Sequence, residues 1–318
     1  MSLRRLRILL LALPLALLAP ELRAQDSDST SISVSEEHYR LYGAGGVVLA
    51  WSDLRELIME ANVVLVGEQH NDPVAHHIEL AVLREVLADS VRPGVLSLEM
   101  FSRDVQHVVD EYLKDLITER HFRSASRPWG NYESDYRPLV EAARLAGAPV
   151  LAANAPRRYV NLVNREGPEA LDALSEAARA WLAPLPFAAA SDAYKAEFDG
   201  LMGDMVSSDT TGSGHDALAS MLSAQSLWDA TMAFSIAEHL LQQPDARVVH
   251  AAGSFHVANG TGIAEHLTRY RPGVRILSIV VEPLLDVSLY DPDEHDGLAD
   301  VVILADMTLP RTYTPSFE

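Results

Sequence analysis

Six short, continuous apolar runs set the strongest limit on the fold: Val63–Val66, Val95–Leu98, Val150–Ala153, Val248–Ala252, Ile276–Val281 and Val301–Leu304. A strand with one face in water alternates polar and apolar residues, whereas an uninterrupted run suits a strand buried on both faces of a mainly parallel sheet. Between the runs, apolar residues three and four apart predict helices over Pro73–Leu87, Val105–Leu116, Tyr136–Leu145 and Gly262–Leu267. Asp72 before Pro73 is a good helix start, an N-cap followed by a proline at the first helical position. The expectation is an α/β layered domain with a mostly parallel central sheet, flanking helices and right-handed crossovers. Residues 156–243 break the alternation, with helical periodicity and no convincing strand. Within them Asp216–Leu241 carries Leu218, Met221, Leu222, Trp228, Met232, Ile236 and Leu240 at helical spacings, so a helical insertion over the C-terminal edge of the strands is expected.

The start of the chain reads as a processing signal. Arg4, Arg5 and Arg7 precede the apolar run Ile8–Leu18, which is too short to span a bilayer, and Ala24 offers a small residue for cleavage. Residues 1–24 are therefore expected to be a secretory signal peptide, residues 25–40 a Ser- and acid-rich flexible linker, and residues 41–318 a single domain with its insertion at 156–243. Loss of the leader would remove four Arg and one Glu and take the net charge from −20 to −23. Such acidity argues against a nucleic-acid partner, which is held mainly by Lys and Arg, and against docking on anionic lipid. The chain contains no cysteine. That excludes disulfides, thiolate catalysis, thiolate metal sites, covalent haem attachment and a lipid anchor on an N-terminal cysteine. An exported protein, periplasmic or secreted and without a membrane anchor, is expected, its chemistry left to His, carboxylates, Tyr, Ser/Thr or a borrowed cofactor.

Ligands of open α/β sheets bind at the carboxyl ends of the strands. Here the run ending at Val66 leads into Gly67-Glu68-Gln69-His70, and the run ending at Leu98 leads into Glu99. The third leads into Asn154 with Arg157 and Arg158 just beyond, and the fourth into Gly253-Ser254-Phe255-His256. Glu68, His70, Glu99, Arg157 and His256 are thus candidate catalytic residues, with Asn154 in support. Each also has a plain structural reading: Glu68 and His70 pair with each other, Glu99 forms a salt bridge with an arginine such as Arg157, and His256 bonds a loop. Their coincidence at one edge favours a site. Gln225 and Asp229, four apart on the long helical segment, share a face and are placed as supporting residues above the crevice. His76 and His77 read as helix-surface residues, of which only one can face the site. Trp129-Gly130-Asn131-Tyr132 and Asp135-Tyr136-Arg137-Pro138 form an aromatic loop that suits either self-packing or a flat ligand. A His-Glu-x-x-His helix, a Gly-x-Ser-x-Gly elbow and a phosphate-binding loop are absent from the sequence.

Taken in order, these segments resemble a known family. Val63–Pro73, Leu98-Glu99-Met100-Phe101, Trp129–Tyr132, Asp135–Leu139, Ala153–Arg158, Ala224-Gln225, Trp228–Ala233 and Gly253–His256 look like the motifs of ChaN-like haem-binding uptake proteins of the Tiki superfamily, over roughly residues 45 to 285. The resemblance implies an exported haem-binding protein serving iron uptake, with haem as ligand and, in at least one member, a tyrosine on the iron. Tyr132 and Tyr136 are the candidates the aromatic loop offers for that role. The wider superfamily, which includes metal-dependent proteases and erythromycin-esterase-like hydrolases with similar Gly-x-x-His motifs and paired glutamates, implies an alternative. In that alternative His70, His256 and Glu68 would hold a divalent metal, or His70 would act as a base without one, on a small-molecule substrate.

Overall fold

The computed structural model describes residues 32–206 and 213–314; the expected leader and most of the expected linker lie outside them. The chain begins with β1 (Tyr39–Gly43), β2 (Val47–Leu49) and α1 (Trp51–Glu60), then β3 (Val63–Glu68), α2 (Pro73–Leu87) and β4 (Gly94–Ser102). Three helices follow, α3 (Gln106–Leu113), α4 (Glu119–Ser126) and α5 (Arg137–Leu145), before β5 (Val150–Asn154). Next come α6 (Arg157–Glu166), the short α7 (Glu176–Arg179), α8 (Asp192–Val206) and the long α9 (Ser213–Gln242). The chain closes with β6 (Arg247–Gly253), α10 (Ile263–Tyr270), β7 (Ile276–Leu284), the short α11 (Pro292–His295) and β8 (Val301–Asp306). All six apolar runs are strands of one eight-stranded sheet, ordered β2-β1-β8-β7-β3-β6-β4-β5. The six strands from β8 to β5 are parallel, and β1 and β2 add an antiparallel edge.

Strand β1 takes in Tyr39 and Arg40, the last two residues of the stretch expected as a linker. They are held by pairing with Ala305 and Leu304 of β8. Among the described residues, no strand lies between β5 and β6, where the helical insertion was expected.

Side chains of a strand point alternately to opposite faces, and the core divides accordingly. Val64, Val66, Leu96, Leu98, Val249 and Ala251 pack with Val74, Ile78 and Val82 of α2 on one face. Val63, Leu65, Val95, Val248 and Ala252 pack with Met232, Ile236 and Leu240 of α9 and Leu267 of α10 on the other. Helix α2 starts as expected: the Asp72 Oδ1 accepts from the backbone N–H of Val74 at 2.8 Å and of Ala75 at 3.1 Å. Its other oxygen is bound by Arg311 from the end of the chain. The parallel register sets Glu68 beside Gly253 and Leu98 beside Ala251. Beyond Leu98 the pairing with β5 shifts, resuming at Ser102 opposite Asn154. This irregularity frees Glu99 from the ladder at the strand ends, where bulges commonly re-aim a side chain.

Gly67 lies where β3 meets the turn after β6. A Cβ there would stand 3.0 Å from the Ser254 Cα and 3.2 Å from the Val257 Cβ. The first contact is backbone, so it cannot rotate away. Gly67→Ala is expected to destabilise the domain by about 1–3 kcal/mol, read as a lower urea midpoint at an unchanged slope.

Candidate functional site

The alternation that divides the core also sends the two glutamates in opposite directions. Glu68 follows Val64 and Val66 in phase and faces α2, whereas Glu99 follows Val95 and faces α9. Glu68 is 2 % exposed. Its Oε1 accepts from the His70 Nδ1 at 2.8 Å and from the Tyr136 hydroxyl. Its Oε2 lies 3.0 Å from the Nδ1 of His76. That same Nδ1 is 2.9 Å from Glu79 Oε2, and the His76 Nε2 donates to the His70 carbonyl at 3.2 Å, with Asp135 Oδ2 at 3.5 Å. Burial alone would raise the Glu68 carboxyl, but the imidazoles of His76 and His70 overcome it and hold the group at about 2. Burial opposes the His76 charge too, yet the carboxyls of Glu68 and Glu79 push it up to about 10. Burial and then the charge of Glu68 raise Glu79 well above the usual range, which favours its protonated form as long as no other cation lies between the two carboxyls.

On the opposite face, Glu99 Oε2 accepts from the backbone N–H of Gly253 at 2.8 Å, in the place of a ladder bond. Its Oε1 is 3.9 Å from the Nε2 of His256. The His256 Nδ1 donates to Asp229 Oδ1 at 2.6 Å, and the second oxygen of Asp229 accepts from the buried Tyr194 hydroxyl. Burial disfavours the His256 cation, but Asp229 and then Glu99 outweigh it and raise the imidazole to about 9. Behind it, burial and then the charge of His256 lower His250 to about 3, and its Nδ1 is 2.8 Å from Ser97 Oγ. His70 bridges the two halves: a Cβ on Gly253 would meet the ring at 3.1 Å and Glu99 Oε2 at 3.8 Å.

The four strand ends thus converge, and Asp229 joins them from α9. The other supporting residues are less engaged. Asn154 Oδ1 accepts from its neighbour Ala155 at 2.8 Å, and Gln225 Oε1 is buried without a hydrogen-bond partner among the described residues. The plain structural alternative, a salt bridge of Glu99 with Arg157, does not form: Arg157 is exposed and makes no ion pair among the described residues, while Arg158 bonds Asp104 at 2.6 Å. His76 is not a surface residue as expected. It and Glu79, three apart, lie on the sheet-facing side of α2, and His77 is the one exposed. Glu79, Asp135 and Tyr194 were not anticipated; the spacing of His76 and Glu79 was the available signal.

The two tyrosines expected as haem ligands are turned inward, each 1 % exposed. Tyr132 packs against Phe101 and Phe122, and Tyr136 is committed to Glu68. Burial raises both phenols, with the charge of Glu68 adding at Tyr136, so neither presents an open phenolate. Among the described residues, the three ligand-type groups whose atoms lie within 4.8 Å of one another are Glu68, His76 and Glu79, not His70, His256 and Glu68. Outside the buried groups a crevice of about 350 Å³ opens, with Glu99, Trp129 and Trp228 on its wall and Arg127, Arg157 and Arg158 around it. The half-exposed His70 stands beside it, its ring 4.7 Å from that of Trp129.

A family model for haem-binding uptake proteins, Tiki superfamily, ChaN, matches residues 54–267. Among solved structures, the chain is similar to ChaN of Campylobacter jejuni with cofacially bound haem, 16% identical over 85% of this chain and 98% of that one, with a TM-score of 0.66. More distant likenesses are a mutant of the erythromycin esterase EreC in its open conformation, 12% identical over 77% of each chain with a TM-score of 0.45, and a Bacillus cereus protein, 10% identical over 80% of this chain and 90% of that one with a TM-score of 0.46. No curated protein matches the chain.

The His256–Asp229 pair gives a signed pH dependence. Folding raises the imidazole from 6.5 to about 9, so its contribution is complete below about pH 6.5 and is lost as the pH rises through 9. Asp229→Asn is expected to lower the His256 titration midpoint in NMR and to remove a share of stability on the order of 3 kcal/mol at neutral pH. Unfolding midpoints of wild type and variant should therefore converge between about pH 6.5 and 9; curves that stay parallel would contradict the pairing.

Proposed function

The chain belongs to the haem-binding uptake family of the Tiki superfamily, ChaN, and on that premise we propose that it is an exported haem-binding protein serving haem or iron uptake. Among the described residues no helix is long and apolar enough to cross a membrane. Export rests on the leader read in residues 1–24. The observation that carries the haem reading is His70 beside the crevice. Its Nδ1 donates to Glu68, which fixes the ring and leaves Nε2 without a hydrogen bond among the described residues. A carboxylate-oriented imidazole is the usual form of a histidine that ligates a metal or haem iron. The surroundings fit the rest of the group. Trp129 and Trp228 offer flat apolar surface, and Arg127, Arg157 and Arg158 offer guanidinium groups for carboxylates. Haem, when bound, brings a redox-active iron and two propionates. This chain's own part is to supply an imidazole in a fixed tautomer, to pair the carboxylates and to exclude water from the ring.

Hemin titration of the cleaved protein is expected to give a saturable Soret shift. His70→Ala should weaken binding about 10–100-fold, whereas Tyr132→Phe should leave the spectrum unchanged. No saturable shift in the wild type would end this reading.

A second reading is favoured by one further observation: two carboxylate-oriented imidazoles, Glu68–His70 and Asp229–His256, flank Glu99. A haem crevice has no need of the second pair. In a hydrolase, His70 would take a proton from water at Nε2, and the His256 cation, with Arg157, would stabilise developing negative charge. Esterase and peptidase screens should then show turnover that His70→Ala and His256→Ala each lower by about 10²–10⁴-fold. Turnover indifferent to both would remove this reading.

A further inference from the structure

The buried side of Glu68 holds a group of atoms that neither reading uses. The Nε2 of His76 faces two acceptors, the His70 carbonyl at 3.2 Å and Asp135 Oδ2 at 3.5 Å, so it carries a proton. The Nδ1 faces two more acceptors, Glu68 Oε2 at 3.0 Å and Glu79 Oε2 at 2.9 Å. Three acceptor-type atoms thus converge on one point, and only a cation between them, a proton or a metal ion, removes their mutual repulsion. Among the described residues, one buried oxygen of each glutamate finds no hydrogen-bond partner: Glu68 Oε2 and Glu79 Oε1. They belong to residues 2 % and 0 % exposed, where an unsatisfied carboxylate oxygen is costly.

We propose that Glu68, His76 and Glu79 form a buried binding site for a small divalent transition-metal ion, lying behind the crevice rather than in it. Ligand atoms about 3 Å apart can share one ion at bond lengths of about 2.0–2.2 Å. One imidazole and two carboxylates, with no thiolate in the chain, suit zinc(II) or manganese(II) better than a soft ion. Two carboxylates balance the charge of a divalent ion, so the occupied site is neutral in its apolar surroundings. The frame is rigid. Glu68 ends a central strand, while His76 and Glu79 are three apart on a helix whose first turn is capped by Asp72. Outside the ligands, Asp135 beside the Nε2 of His76 is itself held by Asn131 at 2.7 Å and Thr312 at 2.8 Å. Such partners fix ring orientation around bound metals. The site shares Glu68 with His70 but through the other oxygen, so both can be engaged together.

The test uses the full cleaved chain, stripped with chelator and then given zinc(II) or manganese(II). The expected result is about one equivalent of one of these ions retained through desalting, with a rise in Tm. Because His76 variants can fail to fold, the diagnostic change is Glu79→Gln. It keeps the shape of the side chain but replaces a carboxyl that can become an anionic ligand by a neutral amide, and it should lower affinity about tenfold or more. A wild type that retains neither ion and shows no Tm response means that protons alone hold the cluster, and overturns the proposal. So does a folded Glu79→Gln chain with undiminished metal content. Hemin titration of the same stripped sample keeps the readings apart: hemin binding without metal removes this site alone, and metal without hemin removes only the haem reading.

Discussion

A single buried carboxylate organises this end of the molecule. Glu68 is the last residue of the central strand β3, and burying it as an anion would cost several kcal/mol if nothing compensated. Compensation comes from three elements: His70 in the turn that follows, His76 on α2, and Tyr136 before α5. The consequence is positional. Each partner is fixed to the strand end, so the loop bearing His70 and the aromatic segment carrying Trp129 are held beside the crevice. Asp135, one residue before Tyr136, extends the network to the chain's end through Thr312, and Arg311 reaches Asp72 from the same segment.

Topology then explains why a second, independent network stands beside the first. The order β3-β6-β4-β5 brings four carboxyl ends into one row although the chain visits them as β3, β4, β5 and β6. The period of two sends Glu68 toward α2 and Glu99 toward α9, so the α2 face holds Glu68, His76 and Glu79, and the α9 face holds Glu99, His256 and Asp229. His70 touches both, through Glu68 and over Gly253. The crevice between them inherits charge states set by groups it does not expose.

Much of this was legible in the sequence because the parallel sheet writes its central strands as unbroken apolar runs. The polar residue that ends such a run marks the carboxyl edge, and Glu68, Glu99, Asn154 and the two Gly-x-x-His turns were located that way. Asp229 followed from helical spacing. Strands β1 and β2 were not visible, since β2 is the short edge strand and Tyr39-Arg40-Leu41-Tyr42-Gly43, next to it, has only Leu41 and Tyr42 buried. Nor was the inward turn of Tyr132 and Tyr136: an aromatic loop packs on itself or on a ligand with the same composition, and only the placement of Phe101, Phe122 and Glu68 decides. His76 escaped for a related reason. Two adjacent histidines on a helix point about 100° apart, and which of them meets the sheet depends on the roll of α2.

The overall charge of −20 would repel an anionic ligand, yet the crevice is ringed by arginines. Charge at the surface is screened over about 8–10 Å at ordinary ionic strength, so the groups at the mouth count for more than the sum over the chain. Two of the three are already answered, because Asp104 pairs with both Arg127 and Arg158. Arg157 alone forms no ion pair among the described residues. Glu99, which lines the same crevice, is spent on Gly253, and Asp229 on His256 and Tyr194. An acidic protein therefore presents one uncompensated guanidinium beside two tryptophans and an oriented imidazole, the surroundings on which the proposed haem reading rests.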